Sequence, residues 1–288
     1  MSAAGKYADG MPIDVAPPMA CRILDLDPDL GSGVSAAEWE NARRACVGSL
    51  SHPRPGDWEP GAENDEQGGR IGFLISDGIV CRELGLRDRH MFELLGPGDV
   101  VSPPVSGEQR RLSSSVKLTV AAETVVVALG QSFVRAAARW PCLLAAVLDR
   151  LEAQRERLAL QGLIAHLPRA EDRMLLALWI LADRWGRATP EGTSLPLALT
   201  HDLLGQLTAS RRPTATVALS ALEAGGAIRH YADGSWLLTE QAGRRVASLA
   251  KTSSAASRLG ERFMLRQALL EIAQEAAAVR AEARQARA

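Results

Sequence analysis

An α+β protein is predicted, with a β-rich N-terminal part, one long central helix and a helical C-terminal part that ends in a hairpin. Three observations carry this. Between Ile71 and Leu129 short apolar runs are separated by glycine, proline and aspartate turns, the spacing of an all-β sandwich or roll. From Pro141 to Leu167 the apolar period becomes helical without a break. From Leu199 to Ile228 two short helical patterns flank a tight break, and two apolar strands around Asp233-Gly234 follow.

The 288 residues leave room for two domains, each with its own core. A formal net charge of -1 argues against a protein that coats nucleic acid along its whole surface. It leaves open a reader whose basic residues are confined to one face. No run approaches the length of a membrane span and the first ten residues lack a signal peptide's apolar core, so a cytoplasmic protein with no membrane partner is expected. Cys21, Cys46, Cys81 and Cys142 are scattered, and so are the five histidines. That spacing suits neither a zinc site nor a local iron–sulfur cluster, and no metal or cofactor is expected. The chain has no strained-serine motif of hydrolases, no phosphate-binding Walker loop and no H-E-x-x-H, so no enzymatic activity is expected.

In chain order, residues 1–20 read as a flexible tail, lacking any periodicity. Cys21–Val34 is a short apolar segment, after which Ser35 is placed to cap a helix over Ala36–Val47, with Glu38 in the capping-box position. Residues 51–69, rich in proline, glycine and acid, read as loop. Ile71–Ile75 and Ile79–Leu84 are expected to form a hairpin around Asp77-Gly78, followed by strands at Met91–Leu95, Val100–Val101, Ser114–Val120 and Thr124–Leu129. A short helix over Phe133–Trp140 precedes the long one, which Pro141 opens at its first helical position. Leu144, Leu151, Leu158 and Ala165 recur every seven residues, with Val147, Gln154 and Gln161 as companions. Such a repeat suggests a helix that pairs with its own copy, through Leu144, Val147, Leu148, Leu151 and Leu158. A helix that packs its leucines only on its own domain is the alternative.

Glu171–Trp185 reads as a buried helix and Gly186–Pro196 as a loop with weak strand character. Thr200 is then a good N-cap, Asp202 adds negative charge in the first turn, and Leu203, Leu204 and Leu207 form an apolar stripe. After the break at Thr208-Ala209-Ser210, Ser210 can cap a second helix that carries Val217, Leu219, Ala221 and Leu222 inward. Arg211, Arg212, Thr214 and Thr216 lie near its exposed N-terminal end, and Gly225-Gly226 stop it. Two short helices at a tight turn, with basic and hydroxyl groups leading the second, suit a helix-turn-helix, and a hairpin directly after it suits a wing. The candidate DNA contacts are Thr200, Ser210, Arg211, Arg212, Thr214 and Thr216, with Arg229 and His230 from the hairpin. Beyond the wing, Gln241–Ala250 and Arg262–Ala288 read as helical.

Several stretches resemble the Crp/Fnr family of bacterial transcription regulators. In the C-terminal part these are Leu199-Thr200, Leu204-Gly205-Gln206-Leu207, Arg211-Arg212-Pro213-Thr214, Ala218-Leu219, Leu222-Glu223 and the pair Gly226 and Ile228. Ala209 stands where that family often has glycine. In the β-rich part, Asp77–Val80 and Leu94–Val101 resemble the jelly roll of cyclic-nucleotide-binding domains, and Arg139-Trp140-Pro141 resembles the junction that follows it. The likeness covers about residues 21–245. It implies a jelly-roll β domain over 21–130, a hinge and dimerisation helix over 131–167 and a winged helix-turn-helix over 168–245. A C-terminal helical extension, 246–288, lies beyond it. It also implies a homodimeric, sequence-specific regulator whose partners are double-stranded DNA and a second copy of itself, and it admits RNA polymerase and an unidentified small-molecule effector as further partners. Arg212 falls on a position that commonly touches guanine, which leaves Arg211 for a phosphate. In the segment that would hold a cyclic phosphate, Pro103 and Pro104 have no N–H to donate. Binding of cAMP or cGMP is therefore not expected, and Gly107, Glu108, Arg110 and Arg111 remain as candidate contacts for another ligand. A regulator gated by a molecule other than cAMP, and a dimeric adaptor that has lost DNA binding, are the alternatives.

Overall fold

A computed structural model describes residues 19–60, 71–87, 89–102, 115–121 and 123–249. They form an α+β protein with three antiparallel sheets, and the chain divides into two compact units between Gly162 and Leu163. The first begins with β1 (Met19–Arg22), α1 (Ile23–Leu26), a 3-10 turn at Pro28–Gly31, α2 (Trp39–Ala45) and β2 (Val47–Ser51). Then come β3 (Gly56–Trp58), β4 (Gly72–Asp77), β5 (Val80–Leu86), β6 (Arg89–Leu95), β7 (Val100–Val101), β8 (Ser115–Val120) and β9 (Val125–Leu129). Helices α3 (Gln131–Arg139) and α4 (Pro141–Ala165) follow. The strands make a five-stranded sheet, β1-β2-β9-β4-β7, and a four-stranded one, β3-β8-β5-β6.

Several sequence expectations change here. Met19 and Ala20 belong to β1, which pairs with β2, and not to a tail. β3 lies in the stretch read as loop, held by its pairing with β8. Ser35 caps nothing: residues 36–38 form a turn, and α2 starts at Trp39 without a side-chain cap. β4 and β5 are not a hairpin. β4 pairs with β9 and β7, whereas β5 pairs with β6 and β8, so Asp77-Gly78 carries the chain from one sheet to the other. Gly78 makes that corner with φ +87, and a Cβ there would lie 2.3 Å from Thr124 Oγ1. The true hairpin is β5–β6, in register from Val80↔Leu95 to Leu86↔Arg89.

The period of two along a strand separates two cores. Phe73 and Ile75 of β4 point between the sheets, with Val80, Leu95, Leu118 and Val126. Leu74 points the other way, into a cluster with Ile23, Leu24, Val127, Phe133, Leu143 and Val147. That second cluster seats α4. Val147 has no exposed surface, so it cannot line a seam with a second chain as its place in the repeat suggested. Its companion positions likewise face their own roll. Gln154, 4% exposed, accepts from the Val100 N–H at 3.1 Å and donates to the Val100 carbonyl at 3.2 Å. Because β7 is the edge of its sheet, this amide satisfies the groups a further strand would have paired. Gln161 donates to the Phe92 carbonyl at 2.6 Å, Arg157 to Asp99 at 2.5 Å, and Arg150 to both oxygens of Asp27. Leu144 and Leu148 remain on the outside, 40% and 56% exposed, with Leu151 and Leu158 half-buried.

Gln154→Leu keeps the size but strands a buried N–H and a buried carbonyl. A loss of about 2–4 kcal/mol is expected from two unsatisfied groups, to be read from the denaturant midpoint. A change below about 0.5 kcal/mol, within the range of ordinary surface substitutions, would mean the edge of β7 finds other partners.

The second unit contains α5 (Ala170–Trp185), β10 (Arg187–Thr189), β11 (Gly192–Leu195), α6 (His201–Leu207), α7 (Arg212–Ala224), β12 (Ile228–His230), β13 (Trp236–Thr239) and a helix over 240–249. The stretch read as a weakly extended loop, Gly186–Pro196, supplies β10 and β11, and the hairpin β12–β13 joins them in one sheet, β10-β11-β13-β12. Met174, Leu175, Leu178, Leu204, Leu219, Leu222, Ile228 and Trp236 are buried in this unit. Arg245 donates to Asp172 of α5 at 2.6 Å, which anchors the helix over 240–249.

The expected ligand contacts Gly107, Glu108, Arg110 and Arg111 and the prolines Pro103 and Pro104 lie outside the described residues, as do residues 1–18 and the helix read over Arg262–Ala288. Among the described residues no group of three His, Cys, Asp or Glu could hold a metal ion, and no helix is long and apolar enough to cross a membrane. Burial pushes the Cys46 thiol up to about 12 and Cys81 up to about 11, so neither is a reactive thiolate near neutral pH.

Candidate nucleic-acid interface

Thr200 caps α6 as its sequence position suggests, accepting from the Leu203 N–H at 3.1 Å. Leu204 and Leu207 turn inward from this helix. Gly205 lets α6 and α7 meet at close range: a Cβ there would lie 2.8 Å from the Ser210 carbonyl oxygen and 3.4 Å from the Ala215 Cβ. The same residue accepts the Ser210 N–H at 2.8 Å, closing the turn.

Ala209 completes that turn in the left-handed region, with φ +50. A side chain there costs about 1–2 kcal/mol relative to the right-handed form. Glycine removes that strain but adds freedom to the unfolded chain, worth about 0.4–1 kcal/mol. Ala209→Gly is therefore expected to stabilise the second unit by about 0.5–1 kcal/mol, seen as a rise in melting temperature. A fall would show that the turn relaxes away from this conformation in solution.

Ser210 does not cap α7. Its hydroxyl accepts from the Arg173 guanidinium of α5 at 3.0 and 3.2 Å and donates to the Thr208 carbonyl at 3.3 Å. Arg173 also donates to the Leu167 carbonyl at 2.6 Å, so this arginine pins the turn to the start of its unit. The residue at the N-cap is Arg211, which offers no side-chain acceptor, and Pro213 occupies the first turn where no helical hydrogen bond is lost.

The N-terminal end of α7 is consequently bare of anions. Arg211, Arg212, Pro213 and Thr214 are all exposed, the first turn holds no acidic residue, and neither guanidinium has an ion-pair partner among the described residues. Two unpaired cations and free backbone N–H groups at a helix start attract phosphate. Thr216 is half-buried and shares a 3.2 Å hydrogen bond with His201 Nδ1. Val217 faces outward, 69% exposed, and Ala221 is exposed too, contrary to the inward placement their spacing suggested; Ala215, Ala218, Leu219 and Leu222 make the buried face.

The wing is braced from α7. The His230 N–H donates to Glu223 at 3.0 Å, and its ring stacks on Trp236 at 4.1 Å between centroids. His201 lies 6.1 Å from both of those rings, which ties α6 to the wing. Asp233 accepts from the N–H and hydroxyl of Ser235, holding its carboxyl below the usual range. Arg229 is exposed but pairs with Glu191 at 2.8 Å, so its charge is the least available of the expected contacts. Sequence reasoning missed His201, Arg173 and Glu191. Each acts through a partner fifteen or more positions away, which no local pattern discloses.

Among solved structures the chain is similar to a cyclic nucleotide-binding domain containing protein from Listeria monocytogenes EGD-e, with TM-score 0.56 and 14% identity over 75% of this chain and 98% of that one. It is also similar to a CooA mutant from Carboxydothermus hydrogenoformans, with TM-score 0.51 and 17% identity over 74% of this chain and 90% of that one. FixK2 from Bradyrhizobium japonicum gives TM-score 0.51 and 18% identity over 67% of this chain and 92% of that one. At these identities the likeness is one of fold. No protein-family model and no curated protein sequence matches the chain.

Proposed function

We propose that this chain, built on the fold it has in common with those structures, is a sequence-specific DNA-binding transcription regulator of the Crp/Fnr type that acts as a homodimer. The observation that carries the reading is the start of α7, where Arg211, Arg212 and Thr214 stand exposed and unopposed by acid beside a wing. Such a helix enters the major groove by its first turns while the wing and the preceding helix meet the backbone. Thr200 and His230 flank the helix as phosphate contacts, and Ser210 serves by shaping the turn. The roll with α4 is the module for regulation and dimerisation, with Leu144 and Leu148 exposed on its outer side and Leu151 and Leu158 half-buried beside them.

A resident catalytic activity is no part of this reading, nor is a membrane partner, and the chain works in the cytoplasm on duplex DNA. The effector, where one acts, is a small molecule other than cAMP, because the prolines at 103 and 104 withdraw two amide donors. RNA polymerase is the partner a bound regulator would address.

Selection from a pool of random duplexes tests the reading. The purified chain is expected to enrich an inverted repeat with half-sites about 10 bp apart, or a multiple, since a two-fold dimer presents two reading helices. Retention of duplex without any enriched sequence would reduce the protein to a non-specific binder, and no retention would leave the dimeric adaptor.

A further inference from the structure

Val217 is the most exposed large hydrophobic side chain among the described residues, at 69%. Isolated apolar side chains on a surface are ordinary, so exposure alone says little; the surroundings say more. Pro213, Thr214, Val217, Ser220, Ala221 and Ala224 form the exposed outer row of α7, and none carries a charge. A solvated helix face of this length normally carries long charged side chains. Here the residues are short, the two arginines stand only at the N-terminal end, and Val217 is the one bulky apolar group on the row. Such a row can approach a partner surface closely, and Arg211 and Arg212 at its N-terminal end suit a partner with an anionic edge.

On the reading above, that partner is the floor of the major groove. The groove floor offers donors and acceptors from guanine, cytosine and adenine, and one apolar group, the 5-methyl of thymine. A valine can neither donate nor accept. Set against a polar base edge, it would strip water from that edge and return no hydrogen bond. Set against a thymine methyl, it buries apolar surface on both sides. Valine in a helix also holds one strongly preferred χ1 rotamer, so little freedom is lost on contact. We infer that Val217 is a specificity-determining residue that reads a thymine through its 5-methyl group in each half-site.

The test replaces each thymine of the selected site by deoxyuridine, one symmetric pair at a time, which removes the methyl group and nothing else. Affinities are measured for the parent and for Val217→Ala, an exposed substitution that leaves the buried face of α7 intact. The parent is expected to lose about fourfold per half-site at one pair of positions, the worth of about 0.8 kcal/mol for one buried carbon at 1.4 kcal/mol per tenfold. Val217→Ala should be indifferent to uracil at that pair while keeping the parent's response elsewhere. If both proteins bind the site and respond alike to uracil at every position, the inference is overturned and the DNA-binding reading stands. If neither protein retains duplex at all, that reading falls and the inference with it.

Discussion

Leu148→Glu is expected to turn the proposed homodimer into monomers. In the seven-residue repeat of α4 the companion positions Val147 and Gln154 are used up by their own roll, the first in its core and the second on the edge of β7. The row beside them, Leu144 and Leu148, stays 40% and 56% exposed, and the half-buried Leu151 and Leu158 continue it. A two-fold pairing of α4 would bring each Leu148 close to its symmetry mate. Glutamate there sets two carboxylates against each other without a cation, a penalty of about 3–5 kcal/mol for breaking a buried arrangement with an unpaired charge. Dimer affinity should fall by about two to four orders of magnitude, and sedimentation should show monomers where the parent is dimeric. Leu148 is the better probe than Leu151, because Leu151 packs on the roll core and its loss would also unsettle the fold. A Leu148→Glu protein that remains dimeric would move the interface off α4.

Arg212→Ala is expected to relax the choice of one base pair in each half-site. The guanidinium stands in the first turn of α7, exposed and free of any ion-pair partner among the described residues, so no internal bond has to break before it reaches DNA. Its two donors match O6 and N7 of guanine, a contact worth about 1–3 kcal/mol of discrimination, or about 2–6 kcal/mol when both half-sites are counted. Arg211, one residue outside the helix, is expected to behave differently. As a phosphate contact it should weaken all sequences about equally on replacement by alanine and flatten the dependence of affinity on salt. The two variants titrated against matched and single-mismatch duplexes separate these roles. Equal behaviour of both would assign base reading elsewhere on α7.

What could be read in the sequence was what short-range chemistry decides. Thr200 as N-cap, Pro213 in the first turn of α7, the Gly225-Gly226 stop and the Asp233-Gly234 turn of the wing depend on neighbours within a few positions, and the structure has them all. The errors came from partners far along the chain. Ser210 has the right chemistry to cap α7, but Arg173 of α5 takes its hydroxyl. Asp77-Gly78 has the look of a hairpin turn, yet β4 finds β9, with Phe73 opposite Ala128, and β5 finds β6 and β8. Val147 fitted a seam as well as a core, and the spacing of apolar residues does not say which copy of the chain supplies the other wall. Val217 reads as inward by its apolar character, whereas its angle on the helix, opposite Leu219 and Ala215, turns it out. Its outward position, 69% exposed, is what makes it available to a partner.

In the proposed complex α7 reads DNA from the major groove through Arg212. Methylation interference at guanine N7 on the selected site tests it most directly, because the modification blocks that edge of the base and no other. The parent is predicted to show interference at one symmetric pair of guanines that disappears in Arg212→Ala, while the remaining pattern persists. An interference pattern identical in parent and variant, or the absence of any sensitive guanine, would exclude Arg212 as the reader of guanine.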